Sequence, residues 1–126
     1  MFPDNIKYTK SHEWVRVSDG LATFGITEFA QEELGDIVNV DLPSVGTMVH
    51  LNEPFGSVDS VKAVSDLMSP VTGEVVEVNE DVEGSPELIN QEPYGNGWMI
   101  IVRMEDTSEL DELMDSEEYE RFTEAE

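Results

Sequence analysis

Between Tyr8 and Met104 short apolar runs alternate with clusters of Gly, Pro, Asn and Asp, and the period of two within several runs predicts strands rather than helices. The runs are HEWVRV (12–17), LATFGI (21–26), DIVNVDL (36–42), TMVHL (47–51), PFGSV (54–58), GEVVEVN (73–79) and GWMIIVRM (97–104). Each is the length of a single strand, so the pattern predicts a mainly β fold, an antiparallel sandwich or flattened barrel. One short helix is expected to interrupt it at TEFAQEELG (27–35), with Thr27 as N-cap, Gly35 as the stop, and Phe29, Ala30 and Leu34 on its buried side.

After Met104 the period changes. Leu110, Leu113 and Met114, then Tyr119 and Phe122, recur at three- and four-residue spacing, which predicts two short helices separated near Asp115 and Ser116. Their apolar stripe is expected to lie on the sandwich. The expected organisation is one unit over 1–126, with a β core over about 8–104 and a helical segment over 105–126. A faint internal repeat, GDIVNVDLPSVGTMV followed by GEVVEVNEDVEGSPELI, brackets residues 57–70 and would place them at a protruding hairpin between two similar half-sheets.

Composition sharpens the picture. The 126 residues include 29 acidic and six basic ones, a net charge of −23 that repels nucleic acid and anionic lipid. Such a surface is also expected of a protein working at very high salt, where screening removes the self-repulsion. With no cysteine, the bare chain has no thiolate chemistry, disulfide or Cys metal site, and any sulfur chemistry must come from a cofactor. Neither a signal peptide, a transit peptide nor a membrane span is recognisable, so a cytoplasmic location is expected. His12 and His50 have no zinc-site spacing and read as structural and strand-surface residues. Trp14 reads as a core or rim aromatic.

Against this acidic background Lys62, in SVDSVKAVSDLMSP, stands out as one of three lysines. Its plain reading is a gatekeeper that discourages edge pairing at a tight turn. The other reading is covalent modification, because the flexible stem carries a nucleophilic amine that can be acylated. The following SPVTG, with Pro70 and Gly73, reads as a turn between strands in which Gly73 can take positive φ.

Four blocks in order, YTKSHEWV (8–15), GITEFAQEELGDIVNVDLPSVG (25–46), VDSVKAVSDLMSPVTGEVVEVN (58–79) and PELINQEPYGNGWMI (86–100), resemble the H proteins of the glycine cleavage system. The resemblance implies a hybrid barrel-sandwich of the lipoyl-domain type, with lipoate joined by an amide to Lys62. Asp59, Ser60, Val61 and Ala63 would form the turn read by the lipoylating enzyme, with Asp59 in place of the family's usual Glu. Biotinyl domains share a Pro-x-x-Gly after their lysine but resemble Met-Lys-Met at the lysine itself, where this chain has Val61 and Ala63.

The resemblance further implies a monomeric carrier that catalyses no step. Its arm would take an aminomethyl group from the pyridoxal-phosphate-dependent glycine decarboxylase (P protein) to the tetrahydrofolate-dependent aminomethyltransferase (T protein). Reoxidation would fall to dihydrolipoamide dehydrogenase (L protein). An aminomethyl thioether is prone to hydrolysis, so the loaded arm is expected to fold into a cleft that excludes water. Glu13 and Asp66 are expected to hold its ammonium, with Ser11 adding a hydrogen bond. The competing reading is a lipoylated H-like protein used for lipoate relay or another lipoate-dependent complex.

Overall fold

The computed structural model describes residues 3–125, so Met1, Phe2 and Glu126 of the expected 1–126 unit lie outside the described residues. Among the described residues nine strands form two antiparallel sheets. The larger has the order β1-β2-β3-β9-β8-β5, built from β1 (Lys7–Tyr8), β2 (Glu13–Ser18), β3 (Leu21–Ile26), β5 (Met48–Val49), β8 (Gly73–Val78) and β9 (Ile100–Met104). The smaller has the order β4-β6-β7, from β4 (Ile37–Asp41), β6 (Pro54–Ser60) and β7 (Val64–Met68).

The sheets share one core. Val15, Phe24, Val75, Ile100 and Val102 from the larger sheet meet Val40, Val58 and Leu67 from the smaller. Alternation explains the smaller sheet's two faces. Val40, Val58 and Ser65 are paired across its strands, and Val40 and Val58 are buried, whereas the neighbouring rows Asn39–Asp59–Val64 and Asp41–Ser57–Asp66 point the other way, toward solvent.

The helix expected at 27–35 is α1 (Glu28–Leu34), capped by the Thr27 side chain and ended at Gly35, whose φ of 79° suits a residue without Cβ. Its apolar side is only half-buried: Ala30 and Leu34 pack against the core, and Phe29 lies against the His12 ring at 4.7 Å.

The single-helix expectation for the β region is corrected. Two further helices, α2 (Glu80–Gly84) and α3 (Glu87–Gln91), lie between the strands expected at 73–79 and 97–104. Each is five residues long and buries one side chain, Val82 or Ile89, which leaves no helical period to detect. Gly73 does not use the positive φ open to it, since positive φ among the described glycines falls at Gly20, Gly35 and Gly46. Gly73 instead opens β8 where a Cβ would stand 2.1 Å from the Arg103 carbonyl oxygen.

Of the two C-terminal helices, the first is a 3-10 helix (Thr107–Glu112) and the second is α4 (Ser116–Glu124), which begins in a capping box formed by Asp115 and Glu118. Leu110 and Leu113 pack on the main core. Tyr119, Met114 and Phe122 join Ile6, Tyr8 and Trp14 in a second cluster, where Tyr119 stacks on Tyr8 at 4.5 Å. The Tyr119 hydroxyl lies 2.6 Å from Thr27 Oγ1 and 2.8 Å from His12 Nδ1, so α4 ties the cap of α1 to the loop before β2. Trp14, fully buried, donates to the Pro93 carbonyl at 2.8 Å. His50 is exposed just past β5.

Candidate functional site

Lys62 sits at the tip of the β6–β7 hairpin, in the connection Val61–Lys62–Ala63. A serine makes this tip rigid. The Ser60 N–H closes the turn on the Ala63 carbonyl at 2.8 Å, and Ser60 Oγ accepts from the amides of Lys62 and Ala63, each at 3.1 Å. The remaining loop amide, Val61 N–H, donates to the Asp36 carbonyl just before β4, at 3.0 Å. All three loop amides are therefore satisfied without the Lys62 side chain, which is exposed and free to carry a group.

The tip is also apolar. Val61 is 66% and Val64 71% exposed, beside Lys62. Of the residues expected to form the recognition turn, Ser60, Val61 and Ala63 shape the tip itself, while Asp59 lies in β6 opposite Val64 and Asn39. A gatekeeper lysine alone gives no reason for two large apolar side chains left in solvent around it.

Ser11 and Glu13, the first two residues expected in a cleft, are brought together. Ser11 Oγ donates to Glu13 Oε1 at 2.5 Å, and Thr9 Oγ1 donates to the same oxygen at 2.7 Å. On the other oxygen, Glu13 Oε2 accepts from the Met68 N–H at 3.2 Å, across the free edge of β7. Glu13 is 1% exposed, and burial pushes its carboxyl up to about 7 despite these donors. The loop is held from behind by His12, whose φ of 72° is unusual for its size.

Asp66, the third cleft residue, is placed differently. It is exposed on the outward face of β7, two residues before Met68. The cleft that Ser11 lines, of about 610 Å³, runs past Met68 and Pro70 to Glu109 and Met114 of the C-terminal segment. Glu109 was not singled out from the sequence, yet it clamps the strand entry by accepting from Thr72 N–H at 2.7 Å and Thr72 Oγ1 at 2.8 Å. Its only signal is one acid among many.

A rise of about 3.3 Å per residue carries the five residues of β7 over about 16 Å, from the Lys62 tip to the Glu13 contact. That is the order of length of a lysine extended by a short acyl chain. The residues thus fit a lipoyl group by geometry: an exposed amine on a fixed turn, an open strand edge beside it, and a cleft with hydroxyl and carboxyl groups at the far end. Among the described residues there is no group of three or more His, Asp or Glu side chains that could hold a metal, and no helix is long and apolar enough to cross a membrane.

A two-sheet barrel-sandwich that presents one lysine at a hairpin tip defines the class of swinging-arm carrier domains. Within that class the chain belongs to the glycine cleavage H-protein family, whose model matches residues 6–126. It is 59% identical to a glycine cleavage system H protein of Brevibacillus brevis, over 94% of each chain. It is 61% identical to one of Vibrio campbellii, over 90% of this chain and 91% of the relative. Among solved structures, a glycine cleavage system H protein of Mycobacterium marinum superposes with a TM-score of 0.91 at 39% identity, covering 97% of this chain and 98% of that one.

Proposed function

We propose that this chain is a lipoyl carrier of glycine cleavage, with lipoate joined by an amide to Lys62. The observation that carries the reading is the hairpin tip, where every loop amide has a partner in the protein while the lysine side chain stands exposed between Val61 and Val64. When bound, lipoate supplies the two sulfurs that the cysteine-free chain lacks. The protein's own contribution is presentation and protection. Ser60 fixes the turn, and Asp59, Val61 and Ala63 give a lipoylating enzyme its contacts.

At the far end of β7, Ser11 faces the cleft and Glu13 lies one hydrogen bond further in. A carboxyl held at about 7 by burial is poised to give up its proton when an ammonium arrives, since a nearby positive charge favours the carboxylate. Asp66, exposed on the same strand, offers a second carboxylate nearer the tip. Partners are then the glycine decarboxylase, the aminomethyltransferase, dihydrolipoamide dehydrogenase and a lipoylating enzyme, each met transiently by a single, non-catalytic, cytoplasmic carrier unit.

The test is an intact mass with peptide mapping on protein from its own source. A lipoyl increment on Lys62, together with glycine-dependent CO2 release on reconstitution with decarboxylase, supports the reading. An unmodified Lys62 in cells that lipoylate other proteins would overturn it. A lipoylated protein inert with both glycine decarboxylase and aminomethyltransferase would assign it to lipoate relay.

A further inference from the structure

The tip is rigid within itself, but its orientation depends on what holds the Asp36 carbonyl. That carbonyl belongs to the short link between α1 and β4, residues 35–36. Across the link lies Asn90 of α3. Its Oδ1 accepts from the Ile37 N–H at 2.8 Å, and its Nδ2 donates both to the Gly35 carbonyl and to Gln31 Oε1, each at 2.9 Å. An amide N–H on one side and a carbonyl on the other leave only one orientation for the Asn90 amide. Ile37 N–H and Gly35 C=O flank Asp36, so one side chain clamps the link from both ends.

The same link lies beside the lysine. Gly35 has a φ of 79°, and a Cβ built there would stand 3.5 Å from Lys62 Cε and from Val61 Cγ2. The Lys62 stem therefore stands on the side of Gly35 where a Cβ would project, in the space the glycine leaves open. One hydrogen bond thus joins tip to link, Val61 N–H on Asp36 C=O, with the Lys62 stem beside the open side of Gly35.

We propose that Asn90 is a positioning residue for Lys62, acting through the Gly35–Ile37 link to fix the direction in which the hairpin tip meets the lipoylating enzyme. This rests on the reading of Lys62 as the lipoylated residue. Asn90 touches neither the lysine nor any substrate. It sets the address of a turn whose own hydrogen bonds set only its shape. Aspartate keeps an acceptor for Ile37 N–H but loses both donors and turns an oxygen toward the Gly35 carbonyl.

The experiment uses the complete chain with Asn90→Ala, Asn90→Asp and, as a control matched in lost stability, Val102→Ala, which opens the buried core of the other sheet. Two quantities are read. Hydrogen exchange at the Val61 amide is expected to quicken about five- to tenfold in both Asn90 variants, with the amides of β9 unchanged, because one supported hydrogen bond is weakened locally. A lipoate–protein ligase joins the carboxyl of lipoate to Nζ as ATP becomes AMP and pyrophosphate; its KM for the protein is expected to rise about threefold or more with kcat unchanged, the sign of lost docking rather than lost chemistry.

Unchanged Val61 exchange and unchanged KM in the Asn90 variants would overturn the proposal, as would an equal rise in KM with Val102→Ala. Should the Asn90 variants fail to fold while Val102→Ala folds, Asn90 serves the fold rather than the tip, and the proposal is likewise overturned. The exchange measurement needs no lipoate. A wild-type chain that the ligase leaves unmodified therefore counts against Lys62 as the lipoyl site, while Val61 exchange still decides the role of Asn90.

Discussion

A carboxyl that is 1% exposed and yet ringed by donors is balanced between two costs, and at Glu13 burial outweighs three hydrogen bonds. The folded-state pKa, about 7, lies above the ordinary value of 4.5, so the folded protein holds a proton that the unfolded chain has released between those two points. Its contribution to stability is complete below about pH 4.5 and is lost as the pH rises through about 7. Glu13→Gln removes the titration while keeping the shape. Relative to that variant, the wild type is expected to lose about 2 kcal/mol of stability between pH 5 and pH 8, read from urea unfolding at each pH. Equal pH dependence in the two proteins would mean that Glu13 is ionised throughout. Sequence reasoning placed Glu13 beside Ser11 by motif position alone. Its burial, and the contact with Met68 55 residues away, came from packing.

At the scale of elements, the turn before β8 shows how a correct boundary can carry a wrong cause. SPVTG ends one strand and begins another, as its composition indicates, but Gly73 is there because β9 approaches closely and not because of its own dihedrals. A methyl group at Gly73 would meet the Arg103 carbonyl oxygen at 2.1 Å and Val102 Cγ1 at 2.7 Å, so β8 and β9 would have to part. Gly73→Ala is expected to lower stability by about 2–4 kcal/mol. Gly84→Ala, with nothing within 4 Å of the added carbon at the end of α2, is expected to be neutral or slightly stabilising. Thermal unfolding of the pair measures the difference; matching melting temperatures would show that the strand pair yields at little cost. The strands within the seven apolar runs and the capped α1 were legible because their runs carry a signal over several residues, whereas β1 and β7 fall outside those runs. The helices α2 and α3 were not, since one buried residue in five has no period.

For the molecule as a whole the charge is −23, its acidic residues lie in both sheets and in α1 to α4, and compact folding brings like charges together. The ion pair between Arg103 and Glu74, 3.4 Å apart with both side chains in solvent, offsets little of this. Screening does more. The melting temperature is expected to rise by about 5 °C or more between dilute buffer and molar KCl, where the Debye length falls to about 3 Å. A flat response would separate the acidic surface from any adaptation to salt. The same field is expected to make association with partner enzymes weaken as salt rises, read from binding at increasing KCl.

Sequence by itself determined the antiparallel β class, the place and caps of α1 and the split C-terminal segment, and it marked Lys62 as the candidate, because each is written in neighbouring residues or in composition: alternation, a capping threonine, a spacing of three and four, one of three lysines beside 29 acidic residues. Only the tertiary structure decided which distant residues meet. Glu13 on the edge of β7, Gly73 under Arg103, Tyr119 against His12 and Thr27, and Asn90 clamping the link beneath Lys62 are contacts over 30 to 107 positions. Local signals cannot specify them. They follow from how two sheets close around one core, and that closure sets the Lys62 tip and the buried Glu13 carboxyl at opposite ends of β7.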